Sequence, residues 1–265
     1  MAVTKNFFTN EGVSEAIGFL LIFTLVITGM GLVTLYGYPM LLQQQSSANE
    51  RIMEKNMIVL QNDIKSLTYK TVPYKETSLK IEGGALHLDN SLTNPPVATF
   101  RIYDSAGTDF VTDYHPGELR FDSTEALTSV SLQNGAVMKY QYPGSTMLAQ
   151  PRWFYDATTN TWVINLVAIN SSGVQSKTGI SLIKMEPGEN TTYIYSDTPT
   201  PPIYIEYKPG SARDFSTAWD NFFQKDLKTG APGISGSTRT YTLPVAANPP
   251  PRIVIKKFEV EVATL

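Results

Sequence analysis

Between Glu15 and Glu50 the chain carries no charged side chain, a run of 34 residues from Ala16 to Asn49. Its most apolar part, AIGFLLIFTLVITGMGLVTLYGYPMLL, covers the 27 residues from Ala16 to Leu42. As a helix this segment measures about 40 Å at about 1.5 Å per residue. A hydrocarbon layer of about 30 Å needs only about 20 apolar residues. The run therefore has the length to span a bilayer, and it exceeds the roughly 7–15 apolar residues of a secretory signal. It is expected to stay on the chain as a membrane helix. The basic flanking residues Lys5, Arg51 and Lys55 are too evenly spread to set an orientation. Length decides instead, because long domains cross largely regardless of charge, so the part after residue 70 is placed on the far side.

The helix is expected to continue past the membrane. Met40–Tyr69 contains no Gly or Pro, and Ile52, Met53, Met57, Leu60, Ile64 and Leu67 recur every three to four residues opposite a polar face. Pro39 has no N–H to donate and predicts a kink. The pair Gly29 and Gly31 marks a further place for loosening. Pro73 ends the helix.

Short β segments follow. Ser78–Leu88 predicts a hairpin around Gly83-Gly84, and Thr128–Tyr142 predicts one around Asn134-Gly135. Further strands are predicted at Val97–Tyr103, Trp153–Tyr155, Thr161–Ile169, Gly179–Met185, Thr192–Tyr195, Ile203–Tyr207 and Arg252–Val262. In the last, the apolar parity switches at Lys256-Lys257, which predicts a bulge or a change of face. Ser211–Leu227 predicts one amphipathic helix capped by Ser211, with Ala212, Phe215, Trp219, Phe222 and Phe223 on one stripe. The fold class is α+β: a long N-terminal α-helix, apolar then amphipathic, followed by an antiparallel β-rich head (sandwich or open barrel) with one amphipathic helix.

Composition narrows the function. The 265 residues include 21 Lys+Arg and 24 Asp+Glu, a net charge of -3 with no basic surplus for nucleic acid. There is no cysteine for disulfides, thiolate metal sites or a thiol nucleophile. His87 and His115 are the two histidines, and no GxSxG, HExxH, GxGxxG or Walker pattern occurs. No enzymatic activity, metal or cofactor is expected. Asp104, Asp109, Asp113 and Glu118 crowd one stretch, but without the spacing of a calcium loop, and are read as acidic turns. Asn170-Ser171-Ser172 and Asn190-Thr191-Thr192 are glycosylation sequons.

The residues EGVSEAIGFLLIF at 11–23 resemble the class III signal and N-terminal helix of archaeal type IV pilin-like proteins, through Gly12, Val13 and the VSxxIG opening of Val13, Ser14, Ile17 and Gly18. The segments Gly31–Pro39 and Asn56–Lys70 are similar to archaeal membrane proteins with pilin-like starts. The head resembles no defined family. The resemblance implies a leader over residues 1–12, a helix over 13–70 and an extracellular head over 71–265. It implies that a prepilin peptidase cuts between Gly12 and Val13. It further implies self-association into a helical homopolymer, served by an assembly ATPase and a membrane platform, with Glu15 pairing with a neighbouring subunit's new N-terminus. Leu20, Phe23 and Leu25 would then be buried among identical helices, and Gly18, Gly29 and Gly31 would allow close backbone approach. An anchored ectodomain that does not polymerise, and an archaellum-type filament subunit, are the alternatives. If the leader is removed, the N-terminal peptide of the surface protein begins VSEAIG. A bulky residue in place of Gly12 leaves the precursor uncut, read by intact mass.

Overall fold

The computed structural model describes residues 10–124, 127–172, 176–196, 199–210 and 213–265, with side chains from Ser14 onward. The chain divides into two units, Met1–Ala48 and Asn49–Leu265.

The first unit is helical. Helix α1 (Asn10–Leu32) leads into a π turn at Val33–Gly37, and α2 (Tyr38–Tyr69) follows. The π turn lies just before Pro39, and its cause is local. Pro39 has no N–H for the Leu35 carbonyl, and its ring crowds that turn. The ladder slips by one residue, so that the Tyr38 N–H donates to the Val33 carbonyl, five residues back. The loosening expected at Gly29 and Gly31 is absent, and both lie in regular α-helix.

Among the described residues, the second unit contains the remainder of α2, Asn49–Tyr69, and 14 strands in two sheets. Strands β1 (Lys75–Asp89), β4 (Glu118–Ser123), β5 (Thr128–Gln133), β6 (Ala136–Gln141) and β7 (Gly144–Ala149) form one side of the larger sheet. Strands β8 (Phe154–Asp156), β9 (Thr161–Asn170), β10 (Ser176–Ser196) and β14 (Arg252–Thr264) complete it. The order is β7-β6-β5-β4-β1-β10-β14-β9-β8. The smaller sheet orders β12 (Gly233–Ser235), β13 (Thr238–Leu243), β11 (Ile203–Pro209), β2 (Ala98–Asp104) and β3 (Asp109–Tyr114). Among the described residues, pairing is antiparallel except between β14 and β9, which run parallel.

The larger sheet buries both faces. On one, Met53, Met57, Leu60, Ile64 and Leu67 of α2 pack on Leu79, Ile81, Phe121, Val130, Val167, Ile183 and Val260. On the other, Met138, Trp162, Ile164, Leu166, Ile253 and Ile255 meet Phe100, Ile102, Ile205, Tyr207 and Tyr241 of the smaller sheet. The parity switch in β14 follows from this. Ile253 and Ile255 serve the inter-sheet core, whereas Val260 and Val262 serve the core under α2. The register of β14 with β9 is unbroken through Lys256 and Lys257, and the irregularities lie in its pairing with β10, between Lys184 and Met185 and between Pro187 and Asn190.

Two other expectations are corrected. Gly83-Gly84 makes no hairpin: β1 continues as one strand, pairing with β10 over Lys75–Ile81 and again at Leu86 and His87 after a register shift, and with β4 over Gly84–Asp89. Gly83 has φ +70°, and a Cβ on Gly84 would sit 2.3 Å from the Asp122 carbonyl oxygen. The glycines lie in the register shift between Ile81 and Leu86, where the backbone is irregular and β4 approaches closely. The expected strands Gly179–Met185 and Thr192–Tyr195 are parts of the single strand β10. The Asn134-Gly135 hairpin forms as expected, with φ 49° and 70° at its two central residues.

The predicted Ser211–Leu227 helix is shorter. Helix α3 (Ser216–Asn221) continues as a π turn, Phe222–Asp226. Ser211 and Ala212 lie outside the described residues, and the first turn is held by Asp214 Oδ1, which accepts from the Ser216 N–H at 2.8 Å. Phe215, Trp219, Phe222 and Phe223 are buried in the inter-sheet core as the stripe predicted.

Gln61 fixes α2 on the sheet. It is buried, and its Nε2 donates to the carbonyls of Gly135 at 2.7 Å and Gln150 at 2.9 Å. Lys139 Nζ reaches Glu54 at 2.8 Å and Glu50 at 3.3 Å. Replacing Gln61 with Met keeps the volume but leaves two carbonyls without their donor, a cost of about 1–3 kcal/mol. The head's urea midpoint should fall, while Arg51→Ala on the exposed side of the same helix should leave it unchanged.

Candidate assembly helix and head surface

From Ser14 to Met30 every side chain of α1 is exposed, including Glu15, Leu20, Phe23 and Leu25. The described residues include one helix long and apolar enough to cross a membrane by length and composition. Its hydroxyls turn inward: Thr24 and Thr28 donate to the carbonyls four residues back at 2.7 Å, and Thr34 at 2.9 Å. This hides their polarity from an apolar surrounding. A Cβ on Gly18, Gly29 or Gly31 would meet nothing within 4 Å. The unit's own packing therefore does not require glycine at these positions. The backbone at Gly12 and Val13 is helical, but their side chains and residues 1–9 lie outside the described residues.

The crowded acidic residues separate in the fold. Asp104 is buried, its Oδ1 accepting from the Ala106 and Thr108 N–H groups at 3.0 and 2.8 Å and its Oδ2 from the Thr200 N–H at 3.0 Å. Burial alone would raise its pKa, but these backbone donors hold it below the usual carboxylate value. Asp109 pairs with Arg101 at 2.8 Å, and Asp113 with His115 at 3.2 Å. Glu118 bonds to Arg120 and accepts from Ser131 at 2.7 Å. Among the described residues, no three such side chains gather as a metal site.

Glu118 belongs to a network that the sequence reading missed. Glu118, Arg120 and Asp122 alternate along β4 and so share one face. Arg120 also reaches Asp89 at 3.0 Å and Asp122 at 2.9 Å, and Ser129 donates to Asp122 at 2.5 Å. Burial raises the Glu118 pKa against the opposing pull of Arg120, whereas Ser129 and Arg120 overcome the same burial effect to lower that of Asp122. The alternation ELRFD was the available signal. His87 stands 3.9 Å from Asp122 at the edge of this network.

The two sequons differ. Asn190 is exposed on β10 opposite Phe258. Asn170 is half-buried at the end of β9, where its side-chain oxygen accepts from the Ser91 hydroxyl and Ser171 donates to the Val262 carbonyl at 2.9 Å.

The chain belongs to a family of unknown function, DUF7289, which matches residues 11–263 and so covers the apolar helix and the head together. No curated protein and no solved structure matches the chain. If glycans are attached to the folded head, peptide mass spectrometry should find them at Asn190 in preference to Asn170. Ser91→Ala, which frees the Asn170 side chain, should raise occupancy at Asn170 and leave Asn190 unchanged.

Proposed function

We propose that this protein is a pilin-like subunit, held in the membrane by its N-terminal helix and then polymerised through that helix into a surface filament with the head outside. The observation that carries the reading is the helix itself. It is apolar on all sides, follows a pilin-like processing sequence at Gly12 and Val13, and has Glu15 at its edge. A helix apolar all round is at home in lipid or among copies of itself. Because both surroundings are apolar, assembly gains little from the hydrophobic effect and must come from packing, charge pairing and head contacts. A bare Glu15 carboxylate buried in a helical bundle would need a cationic partner. The ammonium released on Val13 by a prepilin peptidase supplies one, and the assembly ATPase and membrane platform supply extraction from the bilayer.

The second reading is an anchored ectodomain that binds or scaffolds without polymerising. It is favoured by the size of the independently packed head. An archaellum-type filament is a lesser alternative.

Leu25→Asp should reduce insertion and abolish filaments, since an Asp at a helix centre costs about 2.5–3.5 kcal/mol on the insertion scale. Glu15→Ala should insert and be cleaved normally but give few or no filaments by electron microscopy of the cell surface. Filaments of normal number and length in Glu15→Ala refute the pairing. A wild-type protein found only as single membrane subunits, with no filaments on cells, establishes the anchored reading instead.

A further inference from the structure

The head contains a cleft of about 450 Å³ lined by residues from β3, β9, β14 and the turn after β1. This lies within the roughly 300–1,000 Å³ typical of small-molecule sites. The register fixes its position. Lys257 pairs with Leu166, the last inter-sheet core residue of β9, and Glu259 pairs with Ala168. Lys257 and Glu259 therefore project on the inter-sheet side just past the end of that core, about 7 Å apart along the strand. Tyr114 and His115, at and beyond the end of β3, form the opposite wall.

Three polar groups here make no hydrogen bond or ion pair among the described residues. The Tyr114 hydroxyl is buried without a hydrogen-bond partner. Among the described residues, Lys257 has no carboxylate within 4.0 Å, and its Nζ lies 5.4 Å from the Tyr193 ring centroid. Glu259 likewise has no hydrogen bond or ion pair among the described residues. Elsewhere in the same sheet, the Lys-x-Glu spacing closes on itself: Lys80 meets Glu82 at 2.7 Å, and Lys184 meets Glu186 at 2.8 Å. Lys257 and Glu259 have the same spacing and stay apart. Asp113 also lines the cleft and lies 3.2 Å from His115, which leaves Lys257 and Glu259 as the charged lining groups with no ion-pair contact.

We propose that this cleft binds a small zwitterion of the α-amino-acid class, with the ligand carboxylate on Lys257 and its ammonium on Glu259. A ligand carrying only one charge is attracted by one of these groups and repelled by the other. A zwitterion satisfies both. Ser91 and Thr112 provide hydroxyls at the wall, while Leu92 and Val111 provide apolar surface for a short side chain. The inference concerns the head alone and does not depend on polymerisation.

The test is isothermal titration calorimetry on the full chain in detergent micelles, with glycine, alanine, leucine, glutamate and lysine as ligands and acetate, methylammonium and glucose as comparators. At least one amino acid should bind, and the three comparators should not at the same concentrations. Lys257→Met and Glu259→Gln, at unchanged melting temperature, should each weaken binding about tenfold or more, the scale of one charge-assisted hydrogen bond. Glu259→Gln is nearly isosteric and so tests the charge without disturbing packing. No heat with any amino acid, acetate binding as tightly as the best amino acid, or wild-type affinity in both variants overturns the proposal.

Discussion

The head depends on α2 covering one face of the larger sheet. That sheet is apolar on both sides over much of its area, and strands such as β5 and β9 are buried almost throughout. One face is closed by the smaller sheet and α3. The other would be open to water without Met53, Met57, Leu60, Ile64 and Leu67. Burying one such side chain contributes about 1.5–3 kcal/mol relative to exposure, so the helix is part of the head's core and not an accessory to it. Gln61 turns this non-directional contact into a defined seat, because its amide satisfies two carbonyls that the helix would otherwise bury unpaired.

The same chain therefore carries two helical surfaces with opposite needs. The Asn49–Tyr69 part of α2 has one apolar stripe and a polar back, the pattern of a helix lying on a sheet. The Ala16–Leu42 segment before it has no polar back at all. Its threonines hide their hydroxyls on their own backbone, and its glycines are not required by contacts within the unit. A fold that leaves so much apolar surface bare must meet lipid or protein there, and the proposed function is a statement about which.

Much of this was legible in the sequence because it rests on local rules. The uncharged run, the three-to-four residue rhythm of α2, the Asn134-Gly135 hairpin and the aromatic stripe of α3 each follow from neighbours in the chain. Failures came where a distant partner decides. Gly83-Gly84 looks like a turn by composition, yet β10 on one side and β4 on the other hold the segment as one strand with an irregularity at the glycines. The parity switch in β14 was visible, but its cause was not, since two cores on opposite faces of one sheet leave no local mark. The Lys257 and Glu259 cleft was equally hidden. A Lys-x-Glu pair is ordinary in sequence, and only the register of β14 with β9 places this one at the mouth of the inter-sheet gap.

The position of β14 bears on how such a chain is made. It is the latest strand in chain order, yet it sits inside the larger sheet between β10 and β9, in parallel register with β9 over ten residues from Arg252 to Glu261. Until it arrives, β9 and β10 have no partner on their facing edges, and neither core can close. Pairings so distant in sequence form slowly. During synthesis the head must wait, with its edges exposed, for its last strand to emerge. In that state the facing edges of β9 and β10 are open templates for pairing with another chain, and the arrival of β14 between them is what removes both edges at once.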